Sequence, residues 1–408
     1  MLNKKEIFLG ILDHFIHPDH RLPDLKNLQT DDIEHLFRMA NDHSVFPVIY
    51  EQVRCTKIYQ SLSDEKREYQ KKAAKRLVIG QTYRTSLFLM LYNELLNLGI
   101  PMLVVKGIVC RNMYQNPDYR QSCDEDILIR REDFRKLDQA LEQRGFIREQ
   151  IDHPEKEHEV TYFHEAQGLY LEVHLSLFPE ESGAYGRLNQ EFTDVFDHYV
   201  MEKIQGVDVC TLDPTSHMLY LLCHGLKHFL HSGFGIRQLC DMVLFAETYG
   251  ERIDWEQIEI RTKRQHMYLF WMNLFDIGER YLGFSWKKAC LKKPKKIKLE
   301  SEAMLSDILD SGVYGKSSEE RVHSANITLE AAKAQKKKLS LRSSLFPGIG
   351  YMKTQYPYLN KHKWMLPYAW AKRIYGYLRN KDRQKAMAAV EMGKTRTELL
   401  RKYGIIED

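Results

Sequence analysis

The order of apolar and polar residues predicts helices in the N-terminal part of the chain. Apolar residues recur at helical spacing over residues 30–53, with Thr30 or Asp31 as the expected N-cap. A second helix is predicted over residues 82–98, where Gly99 supplies the C-terminal stop. Its inward stripe is expected to contain Leu87, Leu91, Leu95 and Leu98.

The pattern then changes to short apolar runs of strand length. Residues 100–105 form one such run, which ends abruptly at Lys106 and Gly107. The elements predicted after it are a helix over 108–114, a strand over 126–129, a helix over 132–144 with Phe134, Leu137 and Leu141 inward, and strands over 160–163 and 169–175. This alternation is typical of an α+β or α/β domain.

The rest of the chain is predicted to be mainly helical. Asp213 and Pro214 are a good N-cap and first-turn pair, and the helical pattern continues to about residue 283. Residues 287–298 contain seven lysines around one proline, which indicates a linker or surface segment. The predicted division is a helical N-terminal region over 1–80, a core over 81–205, a helical domain over 206–300 and a mainly helical extension over 301–408.

Composition excludes several classes of protein. The chain has 408 residues, of which 43% are hydrophobic, and a net charge of +4, so it is expected to be globular with no overall nucleic-acid signature. No apolar stretch approaches the roughly 20 residues that cross a bilayer, and the N-terminus does not resemble a signal peptide, so we expect a cytoplasmic protein. Seven scattered cysteines without a C-x-x-C pair argue against a disulfide scaffold and a zinc ribbon.

An aromatic and basic stretch near the C-terminus has two interpretations. Rings interleaved with lysine and arginine suit a peripheral membrane or nucleic-acid contact. The favoured interpretation is that the rings pack onto the body of the protein while the lysines point outward. These rings are Tyr356, Tyr358, Trp364, Tyr368 and Trp370.

Three acidic residues suggest a metal site. Asp124 and Asp126 are one residue apart at the entry to a predicted strand, so both side chains project to the same side. Two adjacent carboxylates are tolerated when a divalent cation such as Mg²⁺ neutralises them. Glu172 lies among apolar residues of another predicted strand and is a candidate third ligand or general base. The turn after the strand at Lys106 and Gly107 favours a phosphate.

Histidines offer a second constellation. His174 follows Glu172 by two residues and is expected on the same side of the strand. A run of histidines at helical spacing consists of His217, His224, His228 and His231, with Asp241 as a candidate partner. His224 and His228 have zinc-ligand spacing, but the glutamate of H-E-x-x-H is missing. The metalloprotease interpretation therefore fails, and the favoured interpretation is a histidine stripe that lines a cleft or faces a nucleotide, with a zinc hydrolase as the alternative.

Several strings resemble a known family. LVVKGIVCRNMY, RQSCDEDILI and LEVHLSL, together with NHSVFPVIY and the later histidine helix, are similar to a bacterial-type, uncharacterised branch of the polymerase-beta-like nucleotidyltransferases over roughly residues 30–250. The resemblance implies an α+β fold with a small mixed sheet and flanking helices. It implies metal binding by Asp124, Asp126 and Glu172, and nucleotide contacts from Lys106, Gly107, Arg120 and His174.

Two positions depart from the family pattern. Ile108 follows Gly107 where the family has serine or glycine, and Glu125 stands between the aspartates where it prefers an apolar residue. If the strand is packed on both faces, Glu125 must reach solvent or pair with a cation. These departures keep open a degenerate fold that binds a nucleotide or a protein without turnover.

The leading functional hypothesis is an enzyme. It would use Mg²⁺ or Mn²⁺ to transfer a nucleoside monophosphate from a nucleoside triphosphate, with ATP as the expected donor, to an acceptor hydroxyl. The sequence leaves the acceptor open among a small molecule, a protein side chain and an RNA end.

Overall fold

The computed structural model describes most of the chain. It covers residues 4–231, 233–295 and 297–312, and in the C-terminal part residues 356–360, 362–378 and 382–406, along with 328, 329, 332, 346, 349 and 352. The chain forms two compact units. The first consists of Met1–Cys223, Ile236–Arg261 and Phe275–Ile297, and the second of His224–Gly235, Thr262–Leu274 and Lys298–Asp408.

A mixed β-sheet organises the first unit. Its strands are β1 (Met102–Val105), β2 (Asp124–Ile129), β3 (Ile147–Arg148), β4 (Glu159–His164), β5 (Leu169–His174), β6 (Val200–Ile204) and β7 (Val207–Thr211). Their order across the sheet is β3-β4-β5-β2-β1-β7-β6. Strand β2 runs parallel to β5, and β1 runs parallel to β7, whereas the remaining neighbours are antiparallel. The predicted α+β fold is thus confirmed.

Helices account for most of the remaining described chain. They are α1 (Lys4–Ile16), α2 (Thr30–Asp42), α3 (Phe46–Val53), α4 (Lys57–Gln60), α5 (Asp64–Asn97), α6 (Gly107–Arg111), α7 (Phe134–Glu142), α8 (Pro214–Leu230), α9 (Ile236–Tyr249), α10 (Trp255–Arg264), α11 (Tyr268–Tyr281), α12 (Ser301–Ser311), α13 (Leu366–Leu378) and α14 (Asp382–Lys402). Within the described residues, no helix has the length and apolar character needed to span a bilayer.

The hydrophobic core lies against one face of the sheet. Successive strand residues point to opposite faces, so every second residue of a strand enters this core. The core-facing strand residues include Met102 and Val104 of β1, Ile127 and Ile129 of β2, and Leu169, Leu171 and Val173 of β5. Helices α5 and α7 cover them with Phe88, Tyr92, Leu95, Leu137 and Leu141. The even-numbered residues of β2 and β5 therefore project from the opposite face.

Two predicted helix boundaries are wrong. Helix α2 has Gln29 as its N-cap, because the extended backbone of Gln29 allows it and Asp32 to form a reciprocal capping box. Helix α5 begins at Asp64, well before the predicted start near residue 82, because Ser63 caps a charged first half that carries no clear apolar stripe. Leu98, predicted to face inward, is 45% exposed beyond the last turn.

Strands β3, β6 and β7 were missed in the sequence analysis, and β2 was predicted too short. Strand β2 starts at Asp124, two residues earlier than predicted, so both aspartates lie within it. The hairpin of β6 and β7 was also missed. Its strands are joined by Gln205 and Gly206, which both adopt positive φ, as a tight two-residue hairpin turn requires. Strand β7 hydrogen-bonds beside β1, so the sheet continues past residue 205 to Thr211. The two-residue strand β3 was also missed.

The C-terminal aromatic residues follow the prediction only in part. Tyr356, Tyr358 and Trp370 pack against a small cluster around Leu359 and Ala369. Trp364 and Tyr368 were also expected to pack inward, and this is wrong, since their exposed fractions are 78% and 59%. Trp364 precedes α13 in a short 3-10 turn, and the Tyr368 ring touches only the rim of the cluster, with its centroid 6.5 Å from that of Tyr358.

The expectation for the lysine-rich segment is confirmed. The lysine-rich segment is a surface segment, because the described lysines in it are all exposed: Lys287, Lys288, Lys292, Lys293, Lys295 and Lys298. All seven cysteines are free thiols.

The cap of α8 yields a first prediction. Asp213 Oδ1 accepts hydrogen bonds from the backbone N–H groups of Thr215 and Ser216, at 2.9 and 3.2 Å. Asp213→Ala should lower the free energy of unfolding by about 1 kcal/mol, because it removes the acceptor for two otherwise unpaired N–H groups. Asp213→Asn keeps an acceptor oxygen and should lose clearly less. Urea unfolding followed by circular dichroism measures both, and equal losses would contradict the assigned cap.

Candidate functional site

Acidic residues gather on the sheet face opposite the core. In the parallel pairing of β2 with β5, Asp126 lies directly beside Glu172, and Leu128 lies beside His174. Strand β4 adds Glu159, which pairs with His174 across the antiparallel register. Since side chains alternate along each strand, Asp124, Asp126, Glu172 and His174 all project from this face. The structure therefore brings together residues that are far apart in sequence.

Asp126 lies at the centre of the polar contacts. Its Oδ1 accepts from the Lys106 ammonium at 2.7 Å and from His174 Nε2 at 2.9 Å. On its other side, His174 Nδ1 is 3.4 Å from an oxygen of Glu159. His174 Nε2 is also 4.0 Å from Glu172 Oε2. His174 thus orients Asp126 while it faces two further carboxylates.

Three of these side chains have the arrangement of metal ligands. Asp126, Glu172 and His174 each offer one ligand atom, and these atoms all lie within 4.8 Å of one another. Two carboxylate oxygens and one imidazole nitrogen suit a divalent cation. Asp124 is outside this group of three, although it lies on the same face at the half-buried start of β2. The group that the geometry brings together thus contains His174 in place of Asp124. A ligand role for Asp124 stays a prediction.

The two central carboxylates have opposite pKa shifts. Burial, followed by the charge of Asp126, raises the pKa of Glu172 to about 10. Burial alone would also raise the pKa of Asp126, but the Lys106 ammonium and the hydrogen bond from His174 hold it well below its usual range. A proton on Glu172 and the Lys106 ammonium thus neutralise the pair when no other cation is present. A metal ion that replaced this proton would be attracted by the negative charge of both carboxylates.

The backbone at Lys106 is strained. Its φ is +55° and its ψ is −121°, a conformation that favours glycine. The Lys106 N–H donates to His217 Nε2 at 3.2 Å. Burial lowers the pKa of His217 to about 3, so its ring is neutral and this nitrogen accepts. His217 thus helps to hold the turn, a role that its position in the histidine run did not reveal.

Gly107 packs closely against β2. A Cβ on this residue would lie 3.1 Å from Glu125 Oε2 and 4.0 Å from Asp126 Oδ2. A side chain here would crowd the Glu125 carboxylate, whereas the distance to Asp126 is an ordinary van der Waals contact, so the close approach to β2 favours glycine.

Glu125 belongs to the core-facing side of β2 and pairs with a cation. Its Oε1 accepts from Arg111 Nη2 at 2.6 Å, and both side chains are almost completely buried. Arg111 also donates to Ser122 Oγ at 2.5 Å. The sequence required that Glu125 find solvent or a cation, but it did not identify Arg111. The available signal was an arginine at the end of the otherwise apolar α6.

Arg120 was predicted to contact a triphosphate, which stays a prediction, and the structure gives it a carboxylate partner within the protein. Its guanidinium binds both oxygens of Asp241, at 3.1 and 2.5 Å, and Tyr114 donates to the same carboxylate at 2.8 Å. Both members of this ion pair are buried. Asp241, considered as a histidine partner, is instead paired with Arg120 and Tyr114. A buried bidentate pair of this kind positions α9.

His224 and His228 lie one turn apart on α8, in the second unit. Their Nε2 atoms are 3.1 Å apart. Among the described residues, neither belongs to a group of three potential metal ligands, so the zinc-hydrolase alternative lacks a third ligand there. His231 lies beyond the last residue of the helix, which ends at Leu230. That His224 and His228 line a cleft stays a prediction.

Comparisons with known proteins identify the family of the chain. A family model described as an uncharacterised nucleotidyltransferase matches residues 29–283, more than half of the chain. The chain belongs to this uncharacterised nucleotidyltransferase family. It is also similar to the crystal structure of an antigenic nucleotidyltransferase-like protein from Paracoccidioides brasiliensis, at 13% identity over 50% of this chain and 94% of that chain, with a TM-score of 0.32. No curated protein gave a significant match.

The strained backbone at Lys106 predicts that glycine is less destabilising than alanine at this position. Lys106→Ala and Lys106→Gly both remove the ammonium, but only glycine relieves the positive φ, so the glycine variant should be more stable by about 1 kcal/mol. Urea unfolding of the two variants measures the difference. At Lys136, in the regular helix α7, the same pair of substitutions should give the reverse order, because glycine disfavours a helix. The same order at both positions would contradict the assigned strain.

The buried ion pair between Arg111 and Glu125 gives another prediction. Arg111→Met should lower the free energy of unfolding by about 3–5 kcal/mol, because it leaves the Glu125 carboxylate buried without a cation. Replacing both residues, with Arg111→Met and Glu125→Leu together, should recover most of this loss. The penalty of the single variant should also be smaller at pH 5 than at pH 8, since burial raises the pKa of Glu125 and protonation removes its charge. Additive losses in the double variant would show that the two side chains do not depend on each other.

Proposed function

We propose that this protein is a metal-dependent enzyme that transfers a nucleoside monophosphate from a nucleoside triphosphate to an acceptor hydroxyl. The observation that carries the proposal is the lateral pairing of Asp126 with Glu172 on β2 and β5, beside Lys106 and His174. Like charges in direct register destabilise a sheet unless a cation lies between them. The family assignment supports the same class of reaction.

The residues present fit a divalent cation such as Mg²⁺ or Mn²⁺. Asp126 and Glu172 would hold it, with His174 as a nitrogen ligand or as the donor that orients Asp126. Asp124, on the same face of β2, is the candidate for a further oxygen ligand. When bound, such a cation supplies charge neutralisation for phosphate oxygens. Lys106, now on Asp126, would then be released to contact the triphosphate.

The chemistry of the transfer assigns the remaining roles. The acceptor oxygen forms a bond to the α-phosphorus, the bond from that phosphorus to the β-phosphate oxygen breaks, and pyrophosphate leaves. The acceptor proton needs a base, and Glu172 is our candidate because it is the partly exposed acid of the group of three and because a bound cation would displace the proton it carries in the metal-free protein. ATP is the expected donor. The acceptor is a small molecule, a protein side chain or an RNA end.

A second candidate is binding without transfer. Asp126 Oδ1 is shared by Lys106 and His174, and a cation must compete with both. The absence of a hydroxyl side chain after Gly107, where Ile108 stands, also removes a phosphate contact typical of the family. Under this alternative the protein binds a nucleotide or a partner protein and does not release pyrophosphate.

Radiolabelled ATP separates these possibilities. We expect label from [α-³²P]ATP, and not from [γ-³²P]ATP, to be transferred to a component of a cell extract in the presence of Mg²⁺ or Mn²⁺. Asp126→Asn and Glu172→Gln should each reduce this transfer by at least about 100-fold, because they weaken stabilisation of the charge that develops in the transition state. Asp208→Asn, an exposed acid on the β6–β7 hairpin, serves as the matched control and should leave transfer unchanged.

Each other result decides between the hypotheses. Label from the γ position would indicate a kinase. ATP binding measured by calorimetry, without pyrophosphate release for any acceptor fraction, would favour the second candidate. Full transfer by Asp126→Asn would refute the assigned site.

A further inference from the structure

A second cluster of potential metal ligands lies at the end of α1, away from the acids of β2 and β5 in sequence. Asp13 is in the last turn of the helix, His17 follows it, and His20 is in the next turn. His17 N–H donates to the Asp13 carbonyl at 2.8 Å, and His20 N–H donates to the His17 carbonyl at 2.9 Å. Pro18 stops the helix between them. The local backbone thus brings three ligand side chains together.

The distances within this cluster are close to those of a coordination site. Asp13 Oδ1 is 3.1 Å from His17 Nδ1 and 2.9 Å from His20 Nδ1. One ligand atom from each residue lies within 4.8 Å of the others. Bonds of about 2.0–2.1 Å to a tetrahedral zinc ion place neighbouring ligand atoms about 3.3 Å apart. Small movements of the side chains are therefore enough to admit a metal ion.

The surroundings orient His17 in the way that metal sites require. A ligating histidine commonly donates its other ring N–H to a carboxylate. The Nε2 atom of His17 is 3.2 Å from Glu247 Oε2 on α9. Glu247 is itself held by the Ser285 N–H at 2.6 Å, and the Lys288 ammonium lies 3.6 Å from it.

Backbone packing and solvent access also fit a bound ion. Gly283 has a φ of +64°, and a Cβ on it would collide with both Asp13 Oδ1 and the His20 ring. The site is thus closed on one side by main chain. The side chains of Asp13 and His20 remain 22% and 33% exposed, whereas His17 is almost fully buried. Solvent can reach the open side, where a water molecule would complete the coordination.

We propose that Asp13, His17 and His20 bind a divalent transition-metal ion of the zinc class, with Glu247 as the positioning residue behind His17. Two imidazoles and one carboxylate are a ligand set that Zn²⁺ accepts. The ion would fix the side chains at the end of α1, and Glu247 on α9 would support one of its ligands, so its role is structural. This site is separate from the acids of the proposed active site.

The alternative occupant is a proton. Burial alone would lower the pKa of His17, but its hydrogen bonds to Asp13 and Glu247 raise it to about 9 in the metal-free protein. A protonated His17 would then bridge the two carboxylates without any metal.

The test uses full-length protein in which Asp126→Asn weakens the other candidate ligand group. After equilibration with Zn²⁺ and removal of the excess, elemental analysis should find one zinc per chain. Addition of His20→Asn should weaken Zn²⁺ binding by at least about 100-fold, because a direct ligand is lost, and Glu247→Gln by about 10–100-fold. His153→Asn, at an exposed histidine outside the cluster, is the matched control and should change nothing.

Two further measurements do not depend on how the His20→Asn and Glu247→Gln variants fold. Co²⁺ added to the Asp126→Asn protein should give the visible absorption of a four-coordinate site. In the same protein labelled with ¹⁵N-histidine, Zn²⁺ should shift the ring resonances of two histidines. Absence of bound zinc, or equal zinc affinity with and without His20→Asn, would overturn the proposal and leave the proton as the occupant. Neither result affects the nucleotidyl-transfer proposal, which is tested in protein with an intact Asp126.

Discussion

The parallel pairing of β2 with β5 is the constraint on which the candidate site depends. It places Asp126 directly beside Glu172 on the face of the sheet opposite the hydrophobic core that α5 and α7 cover. Two ionised carboxylates at this spacing repel each other, so a proton or a cation must accompany them. In the metal-free protein a proton on Glu172 and the Lys106 ammonium meet this need, and the strained backbone of Lys106 positions the ammonium to do so. The requirement for a cation and the capacity to bind one have the same origin.

Two buried ion pairs hold in place the elements next to this face of the sheet. Arg111 and Glu125 connect α6 to the core side of β2, and Arg120 connects the segment before β2 to Asp241 on α9. Each buried charge is costly unless its partner is present, so these pairs restrict the arrangements that the elements can adopt. Arginines next to an acidic site are therefore not necessarily ligands for phosphate. Here both have carboxylate partners within the protein.

The two clusters of possible metal ligands differ in how the chain assembles them. Asp13, His17 and His20 are neighbours in sequence, so the end of one helix and a turn suffice to gather them. Asp126 and Glu172 meet only after two strands have paired in the correct register, and a slip by one residue would turn one of them into the core. The first cluster is expected to depend on local structure and the second on the whole sheet.

The sequence by itself determined many of the elements, although not β3, β6 or β7, and the side of each strand on which the acidic residues lie. Strand periodicity is local, so it could place Asp124 and Asp126 on one side and Glu125 on the other, and the family motifs added the expected neighbourhood of Glu172. Only the tertiary structure decided which partner each charge has. The two partners are 14 positions apart for Arg111 and Glu125, and 121 positions apart for Arg120 and Asp241. Lys106 and His217 are 111 positions apart. No local pattern encodes such pairs, because they depend on the packing of elements that are distant in sequence.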